Sequence, residues 1–122
     1  MSFYFFWKII LIIGKTIVSL HKTATMKIFV YRTLVEYYTR HSDAKSALEY
    51  WYNKTKEAKW TCFADIKRTF NTVDSAGNKR YVFNIKGNNY RLVALVLFVP
   101  QYVYVRFIGT HSEYDKIDCS TI

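Results

Sequence analysis

Acid is scarce in this chain and unevenly spread. Its 122 residues hold nine Asp and Glu against eighteen Lys and Arg, and not one of the nine falls between Asp74 and Glu113. A two-metal centre needs clustered carboxylates, so that stretch does not support two-metal phosphoryl transfer. The two cysteines, Cys62 and Cys119, form no Cys-x-x-Cys pair and no disulfide framework, a pattern that a reducing compartment permits. They read as reduced and structurally minor. The four glycines build no phosphate-cradling loop, and no His-Glu-x-x-His occurs, so nucleotide hydrolysis loses support as well. Neither a metal nor a small-molecule cofactor is implied.

What the chain does have is apolar substance and positive charge. Half of it, 51%, is apolar or aromatic, enough for one modest core and too much for disorder. The formal charge of +9 is unevenly placed: residues 1–25 carry three lysines and no acid, leaving about +6 for the remainder. Such an excess concerns partners rather than fold. It favours nucleic acid, an anionic membrane or an acidic protein over an acidic small substrate.

The opening stretch Phe3 to Leu20, FYFFWKIILIIGKTIVSL, is apolar but interrupted by Lys8 and Lys15. It is too charged for a spanning helix, and His21-Lys22-Thr23-Ala24-Thr25 offers no signal-peptidase site. Residues 1–25 are therefore expected to be an irregular extension or upstream sequence, with a domain over 26–122. An extra helix packed on the domain, or a weak membrane anchor, are the alternatives.

Within the domain, Met26 to Val30 is β-prone, and Thr33-Leu34-Val35-Glu36 has capping-box form, predicting a strand and then a helix that ends near His41. Ser42 can cap a second helix whose Ala44, Ala47, Leu48, Trp51, Thr55 and Ala58 share one face. Tyr50, Trp51 and Tyr52 could serve as base-stacking platforms, but at that spacing Trp51 is expected in the core, with Tyr50 and Tyr52 on its partly buried flank. Thr61 can cap a third helix with Phe63, Ile66 and Phe70 inward, and residues 71–78 read as a loop. From Arg80 the pattern changes to RYVFNIK, YRLVALVLFV and YVYVRFIG, separated by Gly87-Asn88-Asn89 and Pro100-Gln101, which predicts an antiparallel meander. Alternation sets Tyr104 and Arg106 together, opposite Val103, Val105 and Phe107. The whole is an α+β domain: an N-terminal strand and helices on a three- to four-stranded, mainly antiparallel sheet, with a short C-terminal helix.

Antiparallel order brings Lys86, Arg91, Thr110 and His111 to one edge of that sheet. Cleaving RNA without a metal needs a group to deprotonate the 2′-hydroxyl, one to protonate the departing 5′-oxygen, and a cation for the charge gained on phosphorus. His111, Tyr114 and Arg91 can fill those parts, with Lys79, Arg80, Lys86 and Arg106 holding phosphates. Each has a plainer reading: a histidine at a strand end is often a cap, and Arg106 can equally serve Asp115 as a structural partner. Glu113 suits the positive end of a C-terminal helix.

The segment Tyr81-Val82-Phe83-Asn84-Ile85-Lys86-Gly87-Asn88-Asn89-Tyr90-Arg91-Leu92, followed by Thr110-His111-Ser112-Glu113-Tyr114-Asp115, resembles the HigB family of type II toxin-antitoxin toxins. The likeness covers most of Met26 to Ile117. It implies a RelE-like microbial ribonuclease fold and a cytoplasmic mRNA interferase that cuts mRNA on the translating ribosome. It also implies a HigA-type antitoxin with a helix-turn-helix as partner. The motif positions are Asn84, Gly87, Asn88, Arg91, Arg106, Thr110, His111, Glu113, Tyr114 and Asp115, which adds Asn84 and Asn88 to the expected RNA contacts. Toxins of this kind begin close to the first strand, here Met26, and residues 1–25 depart from that pattern. The competing expectation is a non-catalytic RNA- or ribosome-binding module that blocks translation by occupancy.

Overall fold

The computed structural model describes residues 25–122, so the three readings of the N-terminal stretch fall outside the described residues. A short strand β1 (Lys27–Phe29) leads into helix α1 (Tyr31–Arg40), a 3-10 turn (Ser42–Ala44), α2 (Lys45–Glu57) and α3 (Phe63–Thr69). Four strands follow, β2 (Asp74–Gly77), β3 (Arg80–Ile85), β4 (Tyr90–Leu97) and β5 (Tyr102–Thr110), and then a single helical turn, α4 (His111–Tyr114). Among the described residues no helix is long and apolar enough to cross a membrane.

The helices follow their apolar stripes. On α2 the buried positions are Leu48, Trp51 and Thr55, one face at three- and four-residue spacing. Trp51 meets Phe83 of β3 edge-on at 5.4 Å, and Trp60 lies nearly parallel to the same ring at 6.3 Å. Sealing each such side chain from water is worth about 1.5–3 kcal/mol, so this aromatic cluster sets the seating of the helices on the sheet. None of the three expected start signals caps a helix: α2 begins at Lys45 behind Ala44 rather than on Ser42, and α3 begins behind Cys62, with the Thr61 amide and hydroxyl donating to Asp65. Val30, at φ 61, turns the chain directly from β1 into α1, so the helix begins at Tyr31, ahead of the Thr33 box. Glu36 pairs with Arg32, one turn back, at 3.2 Å instead of closing on the Thr33 amide.

The sheet has five strands in the order β1-β5-β4-β3-β2, with β1 parallel to β5 and every other pair antiparallel. The expected three or four strands are exceeded because residues 71–78 are not all loop. Asn78 (φ 52) and Lys79 (φ 64) both take left-handed conformations, the requirement of a type I′ hairpin turn, and fold Asp74–Gly77 back onto β3. Asp, Ser and Gly are poor strand formers, so nothing local announced this edge strand.

β4 is buried on both faces, as its continuous apolar run predicts. Tyr90, Leu92, Ala94 and Val96 join the core beneath the helices. The intervening residues pair with Asn84 and Val82 of β3 on the second face. A bulge on β5 at Arg106 alters the expected alternation: Val93 pairs with Phe107 and Ala94 with Val105. One extra residue flips the face of everything beyond it, so Phe107 leaves the side of Val103 and Val105 and joins that of Tyr104.

Candidate active site

The β3–β4 turn and the β5–α4 junction meet at one end of the sheet. Lys86 (φ 52) and Gly87 (φ 63) take left-handed conformations in the turn, and the Asn89 amide donates to the Lys86 carbonyl at 3.2 Å. The Asn89 carbonyl in turn accepts the His111 amide at 3.1 Å, tying α4 to the turn. Thr110 and Glu113 form a reciprocal capping box: the Glu113 carboxylate accepts the Thr110 amide at 2.8 Å and the Thr110 hydroxyl accepts the Glu113 amide at 3.2 Å. That box fixes where the helical turn starts and therefore where His111 and Tyr114 sit.

Arg91, the register partner of Asn84 and of Gly109, projects from the face away from the helices and is only 8% exposed. Its guanidinium donates to the Asn88 carbonyl at 3.1 Å, the Asn88 side-chain oxygen at 2.8 Å and the Tyr90 carbonyl at 3.1 Å, and stands 5.9 Å from the centre of the Tyr114 ring. These acceptors are neutral. They hold the cation in place without cancelling its charge, so an anion brought to this end of the sheet meets a full positive charge.

The Tyr114 phenol lies 3.6 Å from the Cys119 sulfur. That hydrogen bond, with burial second, pushes its pKa up to about 12, while Arg91 pulls in the opposite direction. The phenol is therefore a proton donor, not a base, throughout the neutral range. His111 is about half exposed, with its Nδ1 3.6 Å from the Asp115 carboxylate. Arg91, Asn88, Tyr114 and His111 are thus gathered by one turn and one junction.

The other expected contacts are distributed differently. Lys86 reaches toward the helices and pairs with Asp43 at 3.1 Å, and the same carboxylate accepts the Tyr90 hydroxyl at 2.7 Å. Those two contacts, the Tyr90 bond first, hold the Asp43 carboxyl below its ordinary pKa. Arg80 sits at the far end of β3, roughly 13 Å along the strand from Asn84 at ~3.3 Å per residue, and donates to the Ile122 carbonyl at 2.8 Å. Asn78 likewise donates to the Ser120 carbonyl at 3.0 Å, so both secure the C-terminal segment. Lys79 is exposed in the β2–β3 turn, and Arg106 is exposed at the bulge, in none of the ion pairs formed among the described residues. Asn84 is exposed at the end of β3.

Two participants escaped the sequence reading. Asp43 looked like an unremarked residue after a helix cap, and no local signal shows that it reaches a turn more than forty positions ahead. Cys119, read as minor, is the hydrogen-bond partner that raises the Tyr114 pKa.

A family model, HigB_toxin, described as the RelE-like toxic component of a toxin-antitoxin system, matches residues 44–117. The chain is 44% identical over 52 residues to the mRNA interferase toxin HigB of Escherichia coli (strain K12), an alignment that takes in 41% of this chain and 50% of that protein. The mRNA interferase HigB of Shigella flexneri matches to the same extent. With the mRNA interferase HigB of Escherichia coli O6:H1 it is 34% identical over 73 residues, 58% of this chain and 71% of the relative. The chain spans about half the length of the first two relatives and 71% of the third.

Proposed function

Because this chain belongs to the HigB family of RelE-like toxins, we propose that it adopts the RelE-like ribonuclease fold and acts as an mRNA interferase, an endoribonuclease that stops translation by cutting message. The observation that carries the reading is the Arg91 guanidinium, buried, fixed by neutral oxygens and facing the protonated Tyr114 beside His111.

In the proposed reaction His111 removes the 2′-hydroxyl proton, with Asp115 orienting its ring. The 2′-oxygen attacks phosphorus, Arg91 stabilises the negative charge gathering on the phosphoryl oxygens, and Tyr114 protonates the departing 5′-oxygen. The products are a 2′,3′-cyclic phosphate and a free 5′-hydroxyl. Arg106, exposed on β5, is the phosphate contact this geometry favours, with Asn84 and Asn88 flanking the centre, whereas the exposed Lys79 lies beyond Arg80 at the far end of the sheet. Arg80 and Lys86 would join them only by exchanging their present partners.

The expected partners are mRNA, the translating ribosome in the cytoplasm, and a HigA-type helix-turn-helix antitoxin. Mapping mRNA 5′ ends by primer extension after induction tests the reading. New ends dependent on His111 and Arg91 support it. Arrested translation with uncut message would replace it with occupancy.

A further inference from the structure

Beside the candidate centre, between α2 and the α3–β2 connection, lies a cleft of about 350 Å³, and a more apolar pocket of about 150 Å³ opens next to it. The two share Tyr50, Phe70 and Asn84. Beneath them is the end of β3 beyond Val82, where β2 has ceased to pair.

Tyr50 is 57% exposed, although its α2 neighbour Trp51 is sealed in the core. It meets Phe70 edge-on at 6.5 Å, and the Lys54 ammonium stands 5.7 Å from its ring centre. Arg68 lines one end of the hollow and Lys86 the other, and neither pocket is lined by a carboxylate. Each of these cations has a carboxylate neighbour, but Asp65 is shared with the Thr61 amide and hydroxyl, and Asp43 with Tyr90. Asn84, which lines both pockets, is the register partner of Arg91, so the hollow adjoins the end of the sheet where the candidate centre sits.

We propose that this cleft is a base-binding subsite for single-stranded RNA: a nucleobase flanking the cleaved linkage stacks on Tyr50, while Arg68 and Lys86 exchange Asp65 and Asp43 for the neighbouring phosphates. An exposed aromatic ring between cations, over a polar floor, is the chemistry that retains an unstacked base without reading its identity closely. A protein strand added to the free edge of β3 fits less well. That edge offers only Phe83 to Ile85, short for a stable pairing, and the surrounding charge favours a polyanion.

The proposal rests on the ribonuclease reading for its substrate, but its test does not require cleavage. A short oligoribonucleotide with 2′-O-methyl groups throughout cannot be cut. Its affinity for the full chain is measured by fluorescence anisotropy, with a 2-aminopurine reporter at successive positions. Tyr50→Ala should weaken binding on the order of tenfold, the usual range for one lost base–aromatic stack. Tyr50→Phe should restore it, and one reporter position should be quenched only when an aromatic ring is present. Circular dichroism checks that the exposed substitution leaves the fold intact. Equal affinity of Tyr50→Ala and the parent, or quenching indifferent to residue 50, overturns the subsite even if message is still cleaved. Tyr50-dependent binding in a chain that never cuts RNA upholds the subsite and removes the nuclease. Competition by an acidic peptide but not by RNA would assign the cleft to a protein partner and overturn the proposal.

Discussion

Tyr90 and Arg91 are adjacent on β4, yet they belong to two different environments. Tyr90 turns toward the helices and gives its hydroxyl to Asp43, which also takes the Lys86 ammonium, so charge on that side is matched and spent on holding the turn to the helical layer. Arg91 turns the other way and is held by carbonyl and amide oxygens alone, so its charge is placed but not consumed. Both sides are ordered. They differ in whether the ordering partner is an ion: Arg91 attracts a phosphate as it stands, whereas Lys86 does so only by exchanging Asp43 for it.

The sharpest way to break this contrast is from the core side. Trp51→Ala removes a fully buried indole against Phe83 and should cost about 3–5 kcal/mol, read as a fall in the urea midpoint. RNA cleavage should then decline only in step with the folded fraction. Arg91→Lys should do the reverse. Cleavage drops on the order of 10²–10³-fold, because a point charge cannot keep the forked contacts to Asn88 and Tyr90 while facing the substrate, and the same lost buried contacts lower the melting temperature by only several degrees, so the loss of cleavage far exceeds any loss of folded protein. A normal cleavage rate in Arg91→Lys would show that placement by neutral oxygens has no catalytic consequence.

Asp43→Asn tests the matched side through pH. The Asp43 carboxyl titrates below its ordinary value in the folded chain, so its contribution to stability is complete above ~4 and is lost as pH falls through the lower folded value. The variant should therefore be less stable than the parent at neutral pH, and the two urea midpoints should converge in acid. A constant gap at all pH values would contradict the assignment.

The smallest expected effect is at Gly109, where an added Cβ would lie 2.5 Å from the Phe107 ring and 2.8 Å from the Glu113 carboxylate. Gly109→Ala should displace Glu113 from the Thr110 amide and cost about 1 kcal/mol, the value of a helix cap. Thermal melts compare it with Thr110→Ala, which removes the other half of the same box.

Much of this was readable along the chain. Leu48, Trp51 and Thr55 recur at helical spacing because one face must be apolar. Arg80, Asn84 and Lys86 alternate with Tyr81, Phe83 and Ile85, and the run from Leu92 to Val96 called for burial on both faces. Three features were not readable. The edge strand at Asp74–Gly77 is built from residues that disfavour strands and exists only because the Asn78-Lys79 turn returns it to β3. The bulge at Arg106 reverses the side on which Phe107 lies. Lys86 was expected beside Arg91 but answers to Asp43 across the fold.

By itself the sequence determined the family, the element types, the positive charge and the approach of Arg91 to the Thr110–Tyr114 segment, since strand pairing and hydrophobic period are local and repetitive. Tertiary structure alone decided which cation is neutralised, which phenols are held above their ordinary pKa and which aromatic ring stays open to solvent. Those outcomes depend on distances between side chains far apart in the chain, and electrostatic and hydrogen-bond energies change with every ångström of that separation.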